Sequence, residues 1–159
     1  MVADSDLAPR GAGASVKPDV VQLTREPISL AALLAAMGHD VTGAGPGDEA
    51  EGGALVTFSG IVRATEGQDR IAHLDYEAYE SMALGQMKAL VVRARERWPL
   101  LRVGLVHRTG AVPAAEASVL VAVLAGHRAE AFEAARFLID ELKKSVPIWK
   151  RAPIEPKDN

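Results

Sequence analysis

The stretch SVLVAVLAG, residues 118–126, most constrains what this chain can fold into. It is apolar at almost every position, so it lacks the alternation of a strand with one face in water. It is also far shorter than the roughly 20 apolar residues that cross a bilayer. Short β-branched apolar runs of this kind are typical of strands buried inside a sheet. We therefore predict that residues 118–126 form a central strand.

Strand and helix patterns lie on either side of that run. Residues 72–79 alternate cleanly and predict a strand, and residues 80–97 carry an apolar stripe at helical spacing. The other predicted elements are strands at 20–24, at 54–63 with a bulge at Gly60, and at 102–110, helices at 29–38 with Ser29 as N-cap and at 128–144, and an extended edge segment at 146–154. The core order ββαββαβ predicts an α+β sandwich with a mixed or antiparallel sheet and two long helices.

The chain divides by composition into a leader and one domain. Residues 1–18 are small, polar and rich in Gly and Pro, which predicts a disordered leader, and residues 19–159 suit a single domain. Residues 39–53 are expected to form a flexible loop. The N-terminus lacks the apolar segment of a signal peptide, so we expect a soluble, cytoplasmic protein without membrane contact.

Charge limits the classes of ligand. Residues 1–53 hold eight acids against three bases, whereas residues 54–159 hold 15 bases against 13 acids. A mildly basic core of this kind suits a small anionic ligand or an acidic partner. Binding of nucleic acid requires a strongly basic face, so we predict that the chain does not bind nucleic acid.

Cysteine is absent from the sequence. That excludes disulfides, thiolate metal sites and any persulfide carried by this chain itself. The sequence also contains no CxxC, no HExxH and no phosphate-cradling glycine loop, so we predict no metal site and no bound cofactor. If sulfur chemistry occurs here, a partner has to supply the sulfur.

The stretch ELKKSVPIWKR, residues 141–151, gathers four cations in a chain of net charge -3. The helix dipole favours Lys143 and Lys144 near a helix C-terminus, but it does not explain Lys150 and Arg151 beyond the proline. A lysine crowded by other cations has its charged form disfavoured, which suits nucleophilic or proton-transfer work. The alternative is a solvated basic face. Trp149 argues against full exposure, because an indole seeks burial or a partner surface.

Three other places contain basic side chains, and each has a structural interpretation that competes with anion binding. His127 and Arg128 open a predicted helix, where free backbone N–H groups favour a phosphate or carboxylate; the alternative is a solvated turn. Arg63 ends a predicted strand, where a plain surface charge is the alternative. Alternation directs one of His107 and Arg108 toward the core, so we expect His107 to be a structural histidine, and we expect His73 to be exposed.

Four phrases together resemble the catalytic, large subunits of molybdopterin synthase, the MoaE family. They are GALVTFSGIVR, LDYEAYESMA, RWPLLRVGLVHRTGAV and GHRAEAFEAARFLIDELKKSVPIWKR, in the family's order from Gly53 to Arg151. The resemblance implies an α/β-hammerhead-like sandwich. It also implies a sulfurtransferase reaction that installs two sulfurs on cyclic pyranopterin monophosphate to form the molybdopterin dithiolene. The sulfur arrives as a thiocarboxylate on the C-terminal Gly-Gly of a small ubiquitin-like subunit, whose tail enters a pocket of the large subunit.

The resemblance also implies residue roles. Lys143 and Lys150 fall on the family's catalytic lysines, with Lys143 as the residue that assists thiocarboxylate attack or proton transfer. The implied substrate-binding residues are Ile61, Val62, Arg63, His127, Arg128, Lys143, Lys150, Arg151 and Ala152. Two departures bear on this set. The position of Ile61 is often basic in relatives, and the chain stops at Asn159, where relatives often continue.

The implied assembly is a homodimer that forms a heterotetramer with two small subunits. If residues 128–144 form one straight helix, Arg128 and Lys143 lie roughly 22 Å apart. One pterin cannot span that distance, so we expect His127 and Arg128 of one chain to complete the pocket of the other. Two alternatives remain open: a non-catalytic docking module for a ubiquitin-like partner, and a generic phosphate-ligand binding protein.

Overall fold

The computed structural model describes residues 19–40 and 52–151. The predicted leader at 1–18, most of the loop predicted at 39–53, and Ala152 lie outside the described residues. The single domain predicted from residue 19 onward stays a prediction.

The elements follow the predicted order. They are β1 Val20–Thr24, α1 Leu30–Ala36, β2 Ala54–Ile61, β3 Thr65–Glu66, β4 Asp69–Arg70, β5 His73–Ala78, α2 Glu80–Arg97, β6 Leu100–Arg108, β7 Gly110–Pro113, β8 Ala117–Ala125, α3 Arg128–Ser145 and β9 Ile148–Arg151. The fold is α+β, as predicted. Three short strands, β3, β4 and β7, were not predicted, because strands of two to four residues carry too few positions to show a period.

A four-stranded sheet in the order β1-β6-β8-β2 forms the centre of the molecule. β1 pairs with β6 in parallel, and the other two pairings are antiparallel. β8 lies inside this sheet, which confirms the prediction of a central strand. Its alternate residues face different layers: Val121 and Val123 belong to the larger core cluster with α2 and α3, whereas Leu120 and Ala122 pack with α1.

The helices cover this sheet as their apolar positions dictate. All five stripe residues predicted for α2 are buried: Ala83, Met87, Leu90, Val91 and Ala94. α3 buries seven residues against the same face, among them Leu138 and Leu142. The Ser29 hydroxyl accepts a hydrogen bond from the backbone N–H of Ala32 at 3.3 Å, which confirms Ser29 as the N-cap of α1.

A second sheet of three antiparallel strands, in the order β7-β5-β9, lies beyond the ends of β2 and α3. β9 is an edge strand of this sheet, as its prolines predicted. The register places Tyr76 opposite Lys150 and Glu77 opposite Trp149. The ladder between β2 and β8 shifts register between Gly60 and Ile61, which confirms the predicted bulge and turns the chain toward the second sheet.

Within the two described ranges, none of the helices combines the length and hydrophobicity that crossing a bilayer requires.

Candidate functional site

A cavity of about 340 Å³ lies where the two sheets meet the C-terminal end of α3. Its walls come from the bulged end of β2, the β3–β4 hairpin, β5, β6, β8 and β9. Residues of β5, β8 and the end of α3, among them Leu74, Val119 and Leu142, give it an apolar lining, and Arg63, Lys143 and Lys150 add positive charge. The volume suits a small organic ligand, and the cations suit a ligand that carries an anionic group.

Five of the nine residues predicted to bind substrate line this cavity. Ile61, Val62 and Arg63 reach it from the end of β2, Lys143 from α3, and Lys150 from β9. His127, Arg128 and Arg151 do not line it. The structure therefore gathers the two lysines and the β2 residues within one chain, and leaves the start of α3 apart from them.

Lys143 belongs to the last turn of α3. Its neighbour Leu142 is buried in the main core, which fixes the end of the helix against the sheet. Among the described residues, Lys143 makes no hydrogen bond or ion pair, whereas the adjacent Lys144 lies 3.7 Å from Glu141. The Lys143 ammonium is therefore free to interact with a ligand in the cavity.

Lys150 lies on β9 directly opposite Tyr76 of β5, and both residues line the cavity. Its Nζ is 3.1 Å from Glu66 Oε1 on the β3–β4 hairpin. Arg151, the next residue, points to the other side of the strand, where its guanidinium is 3.3 Å from Glu77. Strand alternation thus separates two cations that are adjacent in the sequence.

His107 lines the cavity, although its side chain is almost fully buried in β6. Its Nδ1 lies 2.7 Å from the backbone oxygen of Arg108. A carbonyl oxygen only accepts, so Nδ1 carries the hydrogen and Nε2 is an acceptor. Burial lowers the pKa of His107 to about 4, the hydrogen bond to Arg108 opposes that shift, and the nearby charge of Lys143 adds to it. The imidazole is therefore neutral at neutral pH.

Two expectations about neighbouring residues need correction. Both His107 and Arg108 are buried, whereas alternation predicted one of them inside. The guanidinium of Arg108 donates to Glu116 at 2.6 Å, so an ion pair compensates its burial. His73, which we expect from the sequence to be exposed, is half-buried, and its Nε2 lies 3.5 Å from Asp75 Oδ2.

Trp149 retains 55% exposure, so the structure of one chain does not bury the indole as the sequence suggested.

The cavity wall also contains residues that the sequence analysis did not single out, among them Glu66 and Tyr76. Glu66 lies between the strands predicted at 54–63 and 72–79, where no local pattern marks it. Tyr76 belongs to the strand predicted at 72–79, and its ring meets that of His107 edge-on, with centroids 5.2 Å apart. The alternation in β5 is the one sequence signal that could have indicated that Tyr76 faces His107.

His127 and Arg128 lie at the opposite end of α3 from Lys143. Both are exposed, and the His127 side chain forms no capping hydrogen bond. α3 is a single helix of 18 residues, so the rise of ~1.5 Å per residue separates Arg128 from Lys143 by roughly 22 Å. A ligand in the cavity of this chain does not reach them.

The described residues contain no group of three or more His, Cys, Asp or Glu side chains that could hold a metal ion. The polar side chains that line the cavity of this chain are therefore its cations, Thr65, Glu66, Tyr76, Ser118 and the neutral His107.

Comparison with known proteins gives consistent results. Residues 23–145 match the family model of the MoaE protein. Over 99 residues the chain is 50% identical to a molybdopterin synthase catalytic subunit of Oryza sativa subsp. indica, which covers 62% of this chain and 51% of that protein. It is 43% identical over 105 residues to a protein of the same name from Thermoplasma volcanium, which covers 66% of this chain and 77% of the relative. The chain thus spans about half the length of the plant relative.

Solved structures resemble this fold as well. The molybdopterin synthase structure from Staphylococcus aureus superposes with a TM-score of 0.71 at 31% identity, over 84% of this chain and 90% of that one. A protein–protein complex of subunits 1 and 2 of the molybdopterin-converting factor from Helicobacter pylori gives a TM-score of 0.62 at 25% identity, over 87% of this chain and 84% of that one.

Proposed function

The chain belongs to the MoaE protein family, and from this premise we propose that it is the catalytic subunit of a molybdopterin synthase. In the proposed reaction, sulfur passes from the C-terminal thiocarboxylate of a small ubiquitin-like subunit to cyclic pyranopterin monophosphate, and the product is the molybdopterin dithiolene. The chain has no cysteine of its own to carry sulfur. A sulfur-carrying partner is therefore required.

One observation carries this proposal: Arg63 from the loop after β2, Lys143 from α3 and Lys150 from β9 converge on a single cavity. The substrate and the tail of the partner are both anionic. Cations that line a partly apolar cavity attract such groups, and the surrounding protein strengthens the attraction relative to water. Apolar residues such as Ile71 and Leu74 offer a surface on which a ring system can pack.

The two lysines have different surroundings, which supports different roles. Lys143 has no acidic partner among the described residues, so its ammonium is available to assist attack by the thiocarboxylate or to transfer a proton. The Lys150 ammonium already binds one carboxylate, that of Glu66 at 3.1 Å, and an anionic ligand that displaces Glu66 would occupy the same position. Arg63 at the cavity wall is the second proposed anion-binding group.

The proposed assembly is a homodimer that binds two small subunits. Support comes from the length of α3, because one chain holds His127 and Arg128 roughly 22 Å from Lys143. In a two-fold dimer these two residues of one chain complete the cavity of the other. Arg151 and Ala152, which also belong to the proposed substrate-binding set, would then act outside the cavity described for a single chain.

The test of the function is an assay of dithiolene formation. The purified chain is mixed with a thiocarboxylated ubiquitin-like small subunit and cyclic pyranopterin monophosphate, and the dithiolene product is quantified. A catalytic subunit converts the substrate only when the partner carries the thiocarboxylate. A docking module binds the partner without forming product, and that result would reject the proposal.

A further inference from the structure

Glu66 is the one carboxylate among the residues that line the cavity in the described part of the chain. It is paired with Lys150, 84 positions further along the sequence, at 3.1 Å. Arg63 and Lys143 line the same cavity and make no ion pair with described residues. An acid in a cavity for anions is unexpected on electrostatic grounds, because it repels the ligand and competes for a cation that would bind it.

The position of Glu66 allows a ligand to displace its carboxylate from Lys150 easily. It ends β3 at the tip of a two-stranded hairpin, next to Gly67, whose positive φ of 62° shapes the turn. All residues from 63 to 70 are exposed. The side chains of Glu66 and Lys150 are 45% and 52% exposed, so water screens the pair and it contributes little to stability. A ligand can therefore take Lys150 from Glu66 at small cost.

We propose that Glu66 is a specificity-determining residue. Its ion pair with Lys150 disfavours ligands that bind by charge alone, and it is displaced by ligands that also pack on the apolar lining of the cavity. A small anion such as inorganic phosphate gains only the attraction of the cations, so the small cost of displacing Glu66 from Lys150 takes a larger share of its binding free energy than it takes from a ligand with further contacts. A ligand with a ring system gains apolar contacts as well, so it binds in spite of Glu66. The carboxylate thus discriminates against simple anions that share the charge of the substrate but not its ring.

The proposal rests on the proposed function for the identity of the large ligand, but its first test does not need that function. Inorganic phosphate is titrated into the full chain by calorimetry at constant ionic strength. The Glu66→Gln variant should bind phosphate about three- to fivefold more tightly than wild type, because Lys150 no longer has to leave a half-exposed ion pair before it binds the anion.

The hairpin itself offers a matched control. Asp69 lies opposite Glu66 in the β3–β4 ladder and does not line the cavity. Asp69→Asn makes the same change in net charge on the same hairpin, and phosphate affinity should stay within about twofold of wild type. Equal effects of Glu66→Gln and Asp69→Asn would overturn the proposal, because net charge alone would then explain them.

A double-mutant cycle tests whether Glu66 acts through Lys150. In a Lys150→Ala background, Glu66→Gln should change phosphate affinity by less than about twofold. A gain of about three- to fivefold that persists in that background would show that Glu66 repels anions directly, and it would reject an effect that acts through Lys150.

The dithiolene assay distinguishes a failure of this inference from a failure of the proposed function. In the dithiolene assay, phosphate should inhibit Glu66→Gln at a concentration about three- to fivefold lower than wild type, with a smaller change in KM for the pterin. A wild-type chain that forms no dithiolene refutes the proposed function, while the phosphate titrations still decide the role of Glu66. Normal turnover with unchanged phosphate inhibition refutes the role of Glu66 alone.

Discussion

Lys143 and Lys150 line the same cavity, although Lys143 belongs to the last turn of α3 and Lys150 to an edge strand of the second sheet. The chain leaves the helix at Val146, which is extended, and continues as β9 along β5. The proline between the two lysines therefore separates a helix from a strand and directs both ammonium groups to one place.

The Lys143→Ala variant should lose at least ~100-fold in turnover, the scale at which a positioned proton-transfer group contributes. Lys143 is exposed and makes no ion pair with described residues, so the free energy of unfolding should change by less than about 0.5 kcal/mol. The control is Lys144→Ala, which removes a neighbouring cation that does not line the cavity. Near-normal activity of Lys143→Ala with the thiocarboxylated partner would remove Lys143 from the mechanism.

Lys150→Ala should weaken substrate binding more than it slows chemistry. Loss of one charge-assisted hydrogen bond, about 1.5–3 kcal/mol, predicts a KM for the pterin raised roughly 10- to 100-fold with kcat within a factor of about three. Steady-state kinetics measure both values, and Lys88→Ala on α2 serves as a control for loss of a cation away from the cavity. An unchanged KM would show that Lys150 does not bind the substrate.

Mixing two inactive variants should restore activity if the site is shared between two chains. Arg128→Ala and Lys143→Ala each damage a different half of the proposed pocket. After free exchange of subunits, half of the dimers are mixed and each has one intact site, so activity should recover to about a quarter of the wild-type level. Mass spectrometry of the intact dimers confirms the exchange. A mixture that stays inactive after proven exchange, or a chain that is monomeric with its partner bound, contradicts the shared site.

Stability should fall in acid because of His107. Its pKa is about 4 in the folded chain and near 6.5 when unfolded, so the unfolded state binds the proton first. The contribution is therefore complete above about pH 6.5 and is lost as pH falls toward 4, by up to about 3 kcal/mol. Urea unfolding at pH 7.5, 6 and 4.5 should show this slope in wild type. His107→Asn, which keeps a donor toward Arg108, should show a shallower slope, and an equal slope would exclude His107 as its source.

Two glycines should respond in opposite directions to alanine. A Cβ on Gly53 would collide with the backbone oxygen of Gly126, just before α3, so Gly53→Ala should cost about 2 kcal/mol of unfolding free energy. Gly85 on α2 has open space around its missing Cβ, and Gly85→Ala should add about 0.5–1 kcal/mol. Denaturant titration of both variants measures the difference, and a stable Gly53→Ala protein would contradict the close approach of β2 to Gly126.

The sequence by itself determined the elements whose pattern repeats along the chain. The buried stripe of α2 followed from helical periodicity, because a helix presents side chains at a fixed local spacing. The interior position of β8 followed from a short apolar run without alternation, which is typical of a strand buried on both faces. The family resemblance singled out Lys143, Lys150 and Arg63, which line one cavity, and their roles stay predictions.

Only the tertiary structure decided which residues meet across long separations. The contact between Glu66 and Lys150 joins positions 84 residues apart, and the two-residue strand that carries Glu66 is too short to show a period. The low pKa of His107 has the same origin, since it depends on burial between the cavity and the sheet and on the charge of Lys143 from another element. Local spacing fixes the direction of a side chain within its own element, whereas its neighbours and its solvation depend on how all the elements pack.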